Sequence, residues 1–342
     1  MTLVIGRGVS LKPYNTFGVE GHAQYFAEVA DEQALREALA FAQARQLDLS
    51  LLGGGSNLLL LGDVPGLVIR MVGQGRRLLR EEGSRVLVEA EAGEPWHPFV
   101  CWTLGQGLGG LENLSLIPGT VGASPMQNVG AYGVEVKDLF AGLTALDRLT
   151  GELCEFDLAD CRFGYRDSLF KQTPGRWVIL RVRFWLDRHA TLHLDYGPVR
   201  DRLREHGVTE PTYAQVSAAI ASIRQEKLPD PARLGNAGSF FKNPVVDGAT
   251  AAALKARWPR LVAYPQPVGQ AKLAAGWLIE QAGWKGYRRG DAGVHKDQAL
   301  VLVNHGNATG TELLALARDI QGSVQALFGV TLEMEPNLLP RP

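Results

Sequence analysis

An α+β fold spread over two or three domains is what the sequence predicts, and three observations carry that expectation. The chain has 342 residues, beyond the size at which one hydrophobic core usually keeps growing. Strand-like and helix-like runs alternate along it, starting with a strand–helix–strand unit that runs into a glycine triplet. Glycine is the compositional outlier at 40 residues, where an average chain carries about 7%. Many backbone positions must therefore turn sharply or approach something closely.

The elements follow in order. "YFAEVA" (25–30) reads as a strand, and 31–48 as a helix with Leu35, Ala38, Leu39 and Ala42 on one face behind the N-cap Asp31. "LSLL" is a second strand, and "GLVIRM" and "RVLVEAEAG" are strand-like. "EPWHPFVCWTLGQG" reads as a short helix with Pro95 near its first turn. "GLTALDRLTGELCEF" is a hairpin turning at Thr150-Gly151, and "WVILRVRFWL" is a long strand. "TYAQVSAAIASIRQEKLP" is helical, and the Pro, Gly and Asn of "PDPARLGN" after it mark a domain boundary. The last third predicts helices over 270–284 and 311–329, a strand "QALVLVN" between them and a terminal strand "VTLEME".

Composition narrows the function classes. Hydrophobic residues make up 46% and charged residues 21%, with a net charge of −1 and no long basic run, so the chain offers no footprint for nucleic acid or an anionic membrane. No apolar run reaches the roughly 18 residues of a membrane span, and the first residues do not read as a leader, so the expected location is the cytoplasm. Cys101, Cys154 and Cys161 form no C-x-x-C pair and read as buried thiols. "HATLH" (189–193) sits in strand-like sequence without H-E-x-x-H, so its histidines are surface residues and no metal is expected. "GQGLGG" (105–110) matches G-x-G-x-x-G, but it follows a helix where that fingerprint requires a strand, so it is not a Rossmann site. No P-loop motif is present.

Several segments carry candidate chemistry. Gly53, Gly54, Gly55, Ser56 and Asn57 could line a pyrophosphate with backbone N–H groups, or could simply form a tight turn. The stretch 110–133, "GLENLSLIPGTVGASPMQNVGAYG", is too rich in glycine and amides for a core and too apolar for a linker; it reads as a loop wrapped around a flat ligand. "FGYRDSLFK" sets Tyr165 and Arg166 beside Asp167, either as a solvated turn or as an anion clamp. "GNAGSFFKNP" isolates Ser239 between a glycine approach and two aromatic rings, with Lys242 and Asn243 behind, where it could also merely cap a turn. In "LEME", nothing intrinsic favours Glu335 over Glu333.

In order, "NTFGVEGHA", "LLGGGSNLLL", "IPGTVGASPMQNVGAYG", "FGYRDS", "KLPDP", "GNAGSFFKNP", "AGVHKDQALVLVN" and "LEME" closely resemble the UDP-N-acetylenolpyruvoylglucosamine reductase (MurB) family over nearly the whole chain. The resemblance implies an FAD-binding fold of the vanillyl-alcohol-oxidase (PCMH) type in two subdomains, 1–75 and 76–226 with 331–342 returning, and a smaller α+β substrate domain, 227–330. It implies non-covalent FAD held by Gly53, Gly54, Gly55, Ser56 and Asn57, and by Pro118, Gly119, Thr120, Gly122, Ala123, Gln127, Asn128, Gly130, Ala131 and Tyr132. Carried over by motif, the catalytic residues are Arg166, Ser239 and Glu335. Tyr165, Lys227, Asn243 and Gln298 match family positions around the substrate. "LHLDYGPVRDRL" resembles the insertion of the branch in which a tyrosine loop covers the substrate, making Tyr196 a contact. The sequence departs from the family at Pro336, where a valine usually continues the strand, and in the tail "NLLPRP".

That family reduces an enolpyruvyl ether to a lactyl ether in peptidoglycan precursor synthesis, with NADPH as hydride donor, and the resemblance implies a monomer. On this reading Arg166 opposes the growing negative charge, a protonated Glu335 donates a hydrogen bond to it, and Ser239 delivers the proton to the remaining carbon. Lys242 or Lys227 would stabilise the resulting alkoxide. A flavin oxidase on the same scaffold and a nucleotide-binding module without chemistry are the rival expectations.

Overall fold

In the computed structural model, which describes residues 3–341, the Asp31 carboxylate accepts a hydrogen bond from the Ala34 N–H at 2.8 Å and opens the helix Glu32–Ala44. The helix buries Leu35, Ala38 and Ala42, the stripe the sequence marks out. It links the strands His22–Val29 and Leu49–Leu52, which both pair in parallel with Val64–Met71, as a crossover unit requires. Ile5–Ser10 completes this four-stranded sheet.

Backbone contacts divide the chain into two units, the first comprising residues up to 9, 23–55 and 64–226. Beside the parallel sheet it holds a five-stranded antiparallel sheet in the order Leu153–Phe156, Phe140–Asp147, Trp177–Asp187, Arg85–Glu91, Arg76–Glu82. The first two strands form the hairpin expected across Thr150-Gly151. Leu146, Val178 and Leu180 of this sheet pack with Ala27, Leu35, Leu67 and Ile69. A second cluster around Trp96, Phe99 and Phe184 supports the loop 110–133 from below.

The second unit comprises 10–22, 56–63 and 227 onward. A four-stranded sheet runs Gly235–Asn236, Leu302–Asn304, Ala292–Val294, Arg288–Arg289, and a three-stranded one Val245–Asp247, Gln270–Leu273, Ala263–Gln266. The helix Gly310–Phe328 starts with a reciprocal box between Thr309 and Glu312 and ends at left-handed Gly329. Asn337–Leu339 pairs in parallel with Leu58–Leu60, so this part of the tail packs within the second unit.

Four expectations need correction. The helix predicted over 270–284 is a strand, Gln270–Leu273, followed by a shorter helix, Ala275–Gln281. The strand predicted over 330–335 is reduced to one bridge, Met334 to Phe241, and regular pairing starts only beyond Pro336. The strand Trp177–Asp187 ends before "HATLH", which is loop with His189 and His193 exposed. Of the cysteines only Cys161 is buried, and burial pushes its thiol up to about 12; Cys154 is half-buried and Cys101 exposed.

Candidate functional site

Within the first unit, residues 110–133 contain three short 3-10 turns, Glu112–Leu114, Val121–Ala123 and Pro125–Gln127, and a two-residue strand. The loop is fixed through backbone: Trp96 N–H donates to Gly119 O at 3.0 Å, Val121 N–H to Glu94 O at 2.9 Å, and Gly122 N–H to Ala92 O at 2.9 Å. The glycine triplet lies against it. A Cβ on Gly54 would stand 2.8 Å from Gly119 Cα, and one on Gly53 would stand 3.0 Å from Thr120 Oγ1. Only residues without side chains let the two loops close to backbone contact and offer N–H groups to a diphosphate, so the residues present fit a flavin dinucleotide. Gly54→Ala is accordingly expected to weaken FAD binding at least about tenfold and to lower the thermal midpoint, since overpacking of this kind costs about 1–3 kcal/mol. A fluorescence titration of apoprotein with FAD checks this, and wild-type affinity would separate the loop pair from the cofactor.

Asn128 is fully buried and its amide is spent inside the protein. Nδ2 donates to Glu135 Oε2 at 2.9 Å and to Gly164 O at 3.1 Å, and Oδ1 accepts from Lys137 N–H at 3.0 Å. It ties the loop to the "FGYRDS" turn. Ser168 Oγ reinforces that tie by donating to Met126 O at 2.7 Å, and Arg166 Nη2 by donating to Gly130 O at 3.0 Å. A Cβ on Gly130 would come within 3.4 Å of Arg166 Nη1. Gly164 and Asp167 close a tight turn, and Arg166 reaches from it to the loop, its guanidinium 5.6 Å from the Tyr165 ring centre. Tyr196 meets Tyr132 edge to face at 5.8 Å.

Among the described residues seven non-glycine positions have positive φ, and four of them, Leu116, Asn128, Tyr132 and Arg166, lie in this loop or at the turn docked on it. Strain of that kind persists where the surroundings over-determine it, and it concentrates at functional sites. Arg224 is the residue that sequence reasoning missed. Its Nε donates to Leu116 O at 3.3 Å and its guanidinium bonds the Tyr132 side chain. The available signal was its position four residues after Ile220, on the stripe that buries Val216, Ile220 and Ile223.

In the second unit, Phe240 and Phe241 are core residues, Phe240 edge-on to Phe17 at 6.1 Å. They anchor the backbone on one side of Ser239. On the other, Gly238 adopts φ +70 and its N–H donates to Asn236 Oδ1 at 2.9 Å, so Asn236, and not Ser239, caps this turn. Phe240 N–H donates to Leu300 O at 2.7 Å. Phe240 O accepts from Glu335 N–H at 2.9 Å, and Asn57 Nδ2 donates to Glu335 O at 3.4 Å. Pro336 leaves this frame intact, because the next ladder donor is Asn337, whose N–H reaches Asn57 O at 3.0 Å. Glu333 is exposed and ion-paired with Lys242.

Lys227 is exposed at the end of the helix Tyr213–Lys227. Asn243 Oδ1 accepts from Ala275 N–H at 2.9 Å, and Gln298 Oε1 would lie 3.4 Å from a Cβ on Gly276, so both amides stand at the start of the helix Ala275–Gln281. The predicted residues therefore gather in two groups. Gly53, Gly54, the 118–132 loop, Tyr165, Arg166 and Tyr196 belong to the first unit, and Ser56, Asn57, Ser239, Asn243, Gln298 and Glu335 to the second.

Two family models match the chain: an FAD binding domain over residues 23–157, and the C-terminal domain of UDP-N-acetylenolpyruvoylglucosamine reductase over 230–339. A curated UDP-N-acetylenolpyruvoylglucosamine reductase from Pseudomonas putida is 66% identical, covering 99% of this chain and 100% of its own. One from Chromobacterium violaceum is 56% identical over 99% of this chain and 100% of its own. The solved reductase of that name from Thermus caldophilus superposes with a TM-score of 0.68 at 26% identity, over 99% of this chain and 100% of its own. A solvent-stable cholesterol oxidase shares the fold at a TM-score of 0.51 and 13% identity, over 97% of this chain and 87% of its own.

Proposed function

Since the chain belongs to the UDP-N-acetylenolpyruvoylglucosamine reductase family, and is an FAD-dependent oxidoreductase of the vanillyl-alcohol-oxidase fold, we propose that Arg166, Ser239 and Glu335 carry its chemistry. The reaction is reduction of the enolpyruvyl ether of UDP-N-acetylglucosamine to UDP-N-acetylmuramate. FAD, when bound, supplies the two-electron chemistry, taking a hydride from NADPH and giving it to C3 of the enolpyruvyl group. Arg166 opposes the negative charge that grows on C2 and the carboxylate, and Glu335, protonated, donates a hydrogen bond to the same charge. Ser239 gives its hydroxyl proton to C2, so one hydride and one proton complete the lactyl ether. Lys242, paired to the exposed Glu333, or Lys227 steadies the serine alkoxide.

The observation that carries this reading is the hydrogen bond from Glu335 N–H to Phe240 O, which holds the acidic and hydroxyl candidates on adjoining rigid backbone. The glycine loops and Gln127, Gly130, Ala131 and Tyr132 hold FAD. Tyr165, Lys227, Asn243, Gln298 and Tyr196 contact the sugar nucleotide, Tyr196 as the covering residue of a tyrosine-loop branch. The three-part division 1–75, 76–226 with 331–342, and 227–330 is retained as a proposal, as are monomeric action and a cytoplasmic location. No helix among the described residues is long and apolar enough to cross a membrane.

The test is spectroscopic. Purified protein is expected to be yellow, to bleach anaerobically with NADPH and to recolour on adding the enolpyruvyl sugar nucleotide; fast recolouring by oxygen alone would favour the oxidase rival. Because one cofactor serves both reactants in turn, initial-rate plots are expected to be parallel, a ping-pong pattern that intersecting lines would contradict.

A further inference from the structure

Between the strand Trp177–Asp187 and the helix Val199–Glu205, the first unit carries a segment with neither helix nor strand, 188–198, on which Tyr196 is exposed. Leu192 and Leu194 point inward from it and pack, with Tyr132, against the cluster around Val199, Val216 and Ile220. Apolar packing is non-directional, so it seats the segment without fixing where Tyr196 stands along the surface.

Directional bonds come from Asn113. Fully buried in the short turn Glu112–Leu114, it donates from Nδ2 to Tyr132 O and to His193 O, each at 2.8 Å. Two carbonyls can be met only by the donor end of the amide, so its orientation is fixed. Among the described residues nothing donates to Asn113 Oδ1. A dry, unpaired acceptor opposes folding, and what stands against it is a pair of bonds joining two segments distant in sequence. The turn itself is held: Trp96 Nε1 donates to Leu114 O at 2.9 Å, and the Ser115 and Ser217 hydroxyls are hydrogen-bonded at 2.7 Å. Asn113 thus sets both segments from one rigid point. Their tyrosines meet there, Tyr132 edge to face with Tyr196 at 5.8 Å, and a Cβ on Gly133 would lie 3.8 Å from Tyr196 Cβ.

We infer that Asn113 is a positioning residue for the sugar nucleotide: by binding the Tyr132 and His193 carbonyls together it sets the place of Tyr196 against the loop 110–133. It acts on substrate capture through Tyr196, and not on hydride uptake from NADPH. This rests on the proposed role of Tyr196 as the residue that covers the substrate. A tyrosine already in place loses little freedom when the substrate arrives, whereas one on a loose segment must be ordered at the expense of affinity.

The experiment is anaerobic stopped flow on the holoprotein in two halves, bleaching by NADPH and recolouring of the reduced enzyme by UDP-N-acetylglucosamine enolpyruvate, with FAD affinity measured alongside. Asn113→Ser is expected to raise the half-saturating concentration of the enolpyruvyl sugar nucleotide at least about fivefold, while the NADPH half and FAD affinity stay within about twofold of wild type. In a Tyr196→Ala background the same change is expected to add less than about twofold, because the two residues act through one contact. Two glycines inserted after Leu194 leave Asn113 and its bonds in place but release Tyr196 from them, and are expected to reproduce the rise; this variant carries the test where Asn113→Ser does not fold. Full additivity with Tyr196→Ala, equal losses in FAD affinity and both halves, or wild-type saturation in the glycine insertion overturns the inference and leaves Asn113 a strut of the loop. A Tyr196→Ala variant that saturates like wild type sinks the tyrosine cover itself, and this inference with it. A Tyr196→Ala variant with weakened saturation beside an unaffected Asn113→Ser sinks this inference alone.

Discussion

Ser239→Ala is expected to slow transfer to the enolpyruvyl substrate about 10²–10⁴-fold while reduction by NADPH stays near wild type. The asymmetry follows from the role. Hydride delivery from NADPH needs no proton at substrate C2, so the half-reaction that precedes substrate binding does not involve the serine. The size follows from the setting: Asn236 caps the turn at Gly238, and the Phe240 N–H is bonded to Leu300 O, so the backbone on either side of the hydroxyl is fixed. A proton donor on fixed backbone contributes orientation that water entering an alanine-sized gap cannot reproduce. The cap also removes the competing explanation that alanine merely frees the turn. Anaerobic stopped-flow measurement of the two half-reactions checks it, and equal slowing of both would reassign Ser239 to structure.

Much of this arrangement was legible in the residues because local rules and tertiary packing agree there. Asp31 caps where a cap was expected, the hairpin turns at Thr150-Gly151, and the buried stripe of the helix Glu32–Ala44 is the one its spacing predicts. Legibility failed where pairing across the fold overrides local preference. The 270–284 segment carries a helical pattern, but Gln270–Leu273 is the central strand between Val245–Asp247 and Ala263–Gln266, and only the remainder can coil. Arg76–Glu82 was invisible as a strand because all seven of its residues are exposed, leaving no alternation to read. In the site, motif matching named Arg166 but not Arg224, because an arginine in an amphipathic helix reads as part of its wet face. Only the partners of Arg224, one carbonyl and one phenol of a strained loop, distinguish it.

The two acids of "LEME" differ in their surroundings, and the resemblance's choice of Glu335 leads to the second large effect. Glu333 is solvent-facing and tied to Lys242, whereas the backbone of Glu335 is bonded on both sides, to Phe240 O and from Asn57 Nδ2. Glu335→Ala is therefore expected to lower kcat about 10²–10³-fold, the usual loss when one preorganised donor to a developing anion is removed. Glu333→Gln should change it less than about threefold, since exposed ion pairs contribute little. Glu335→Gln separates the possible roles of the carboxyl. A protonated acid donates one hydrogen bond to the growing charge, and so does a neutral amide of nearly the same shape, so the glutamine variant should keep kcat within about tenfold of wild type. An ionised carboxylate working as a base would instead lose as much in glutamine as in alanine. Loss of activity in Glu335→Gln as deep as in Glu335→Ala would move the acidic role elsewhere, while the backbone frame that Glu335 shares with Ser239 would stand.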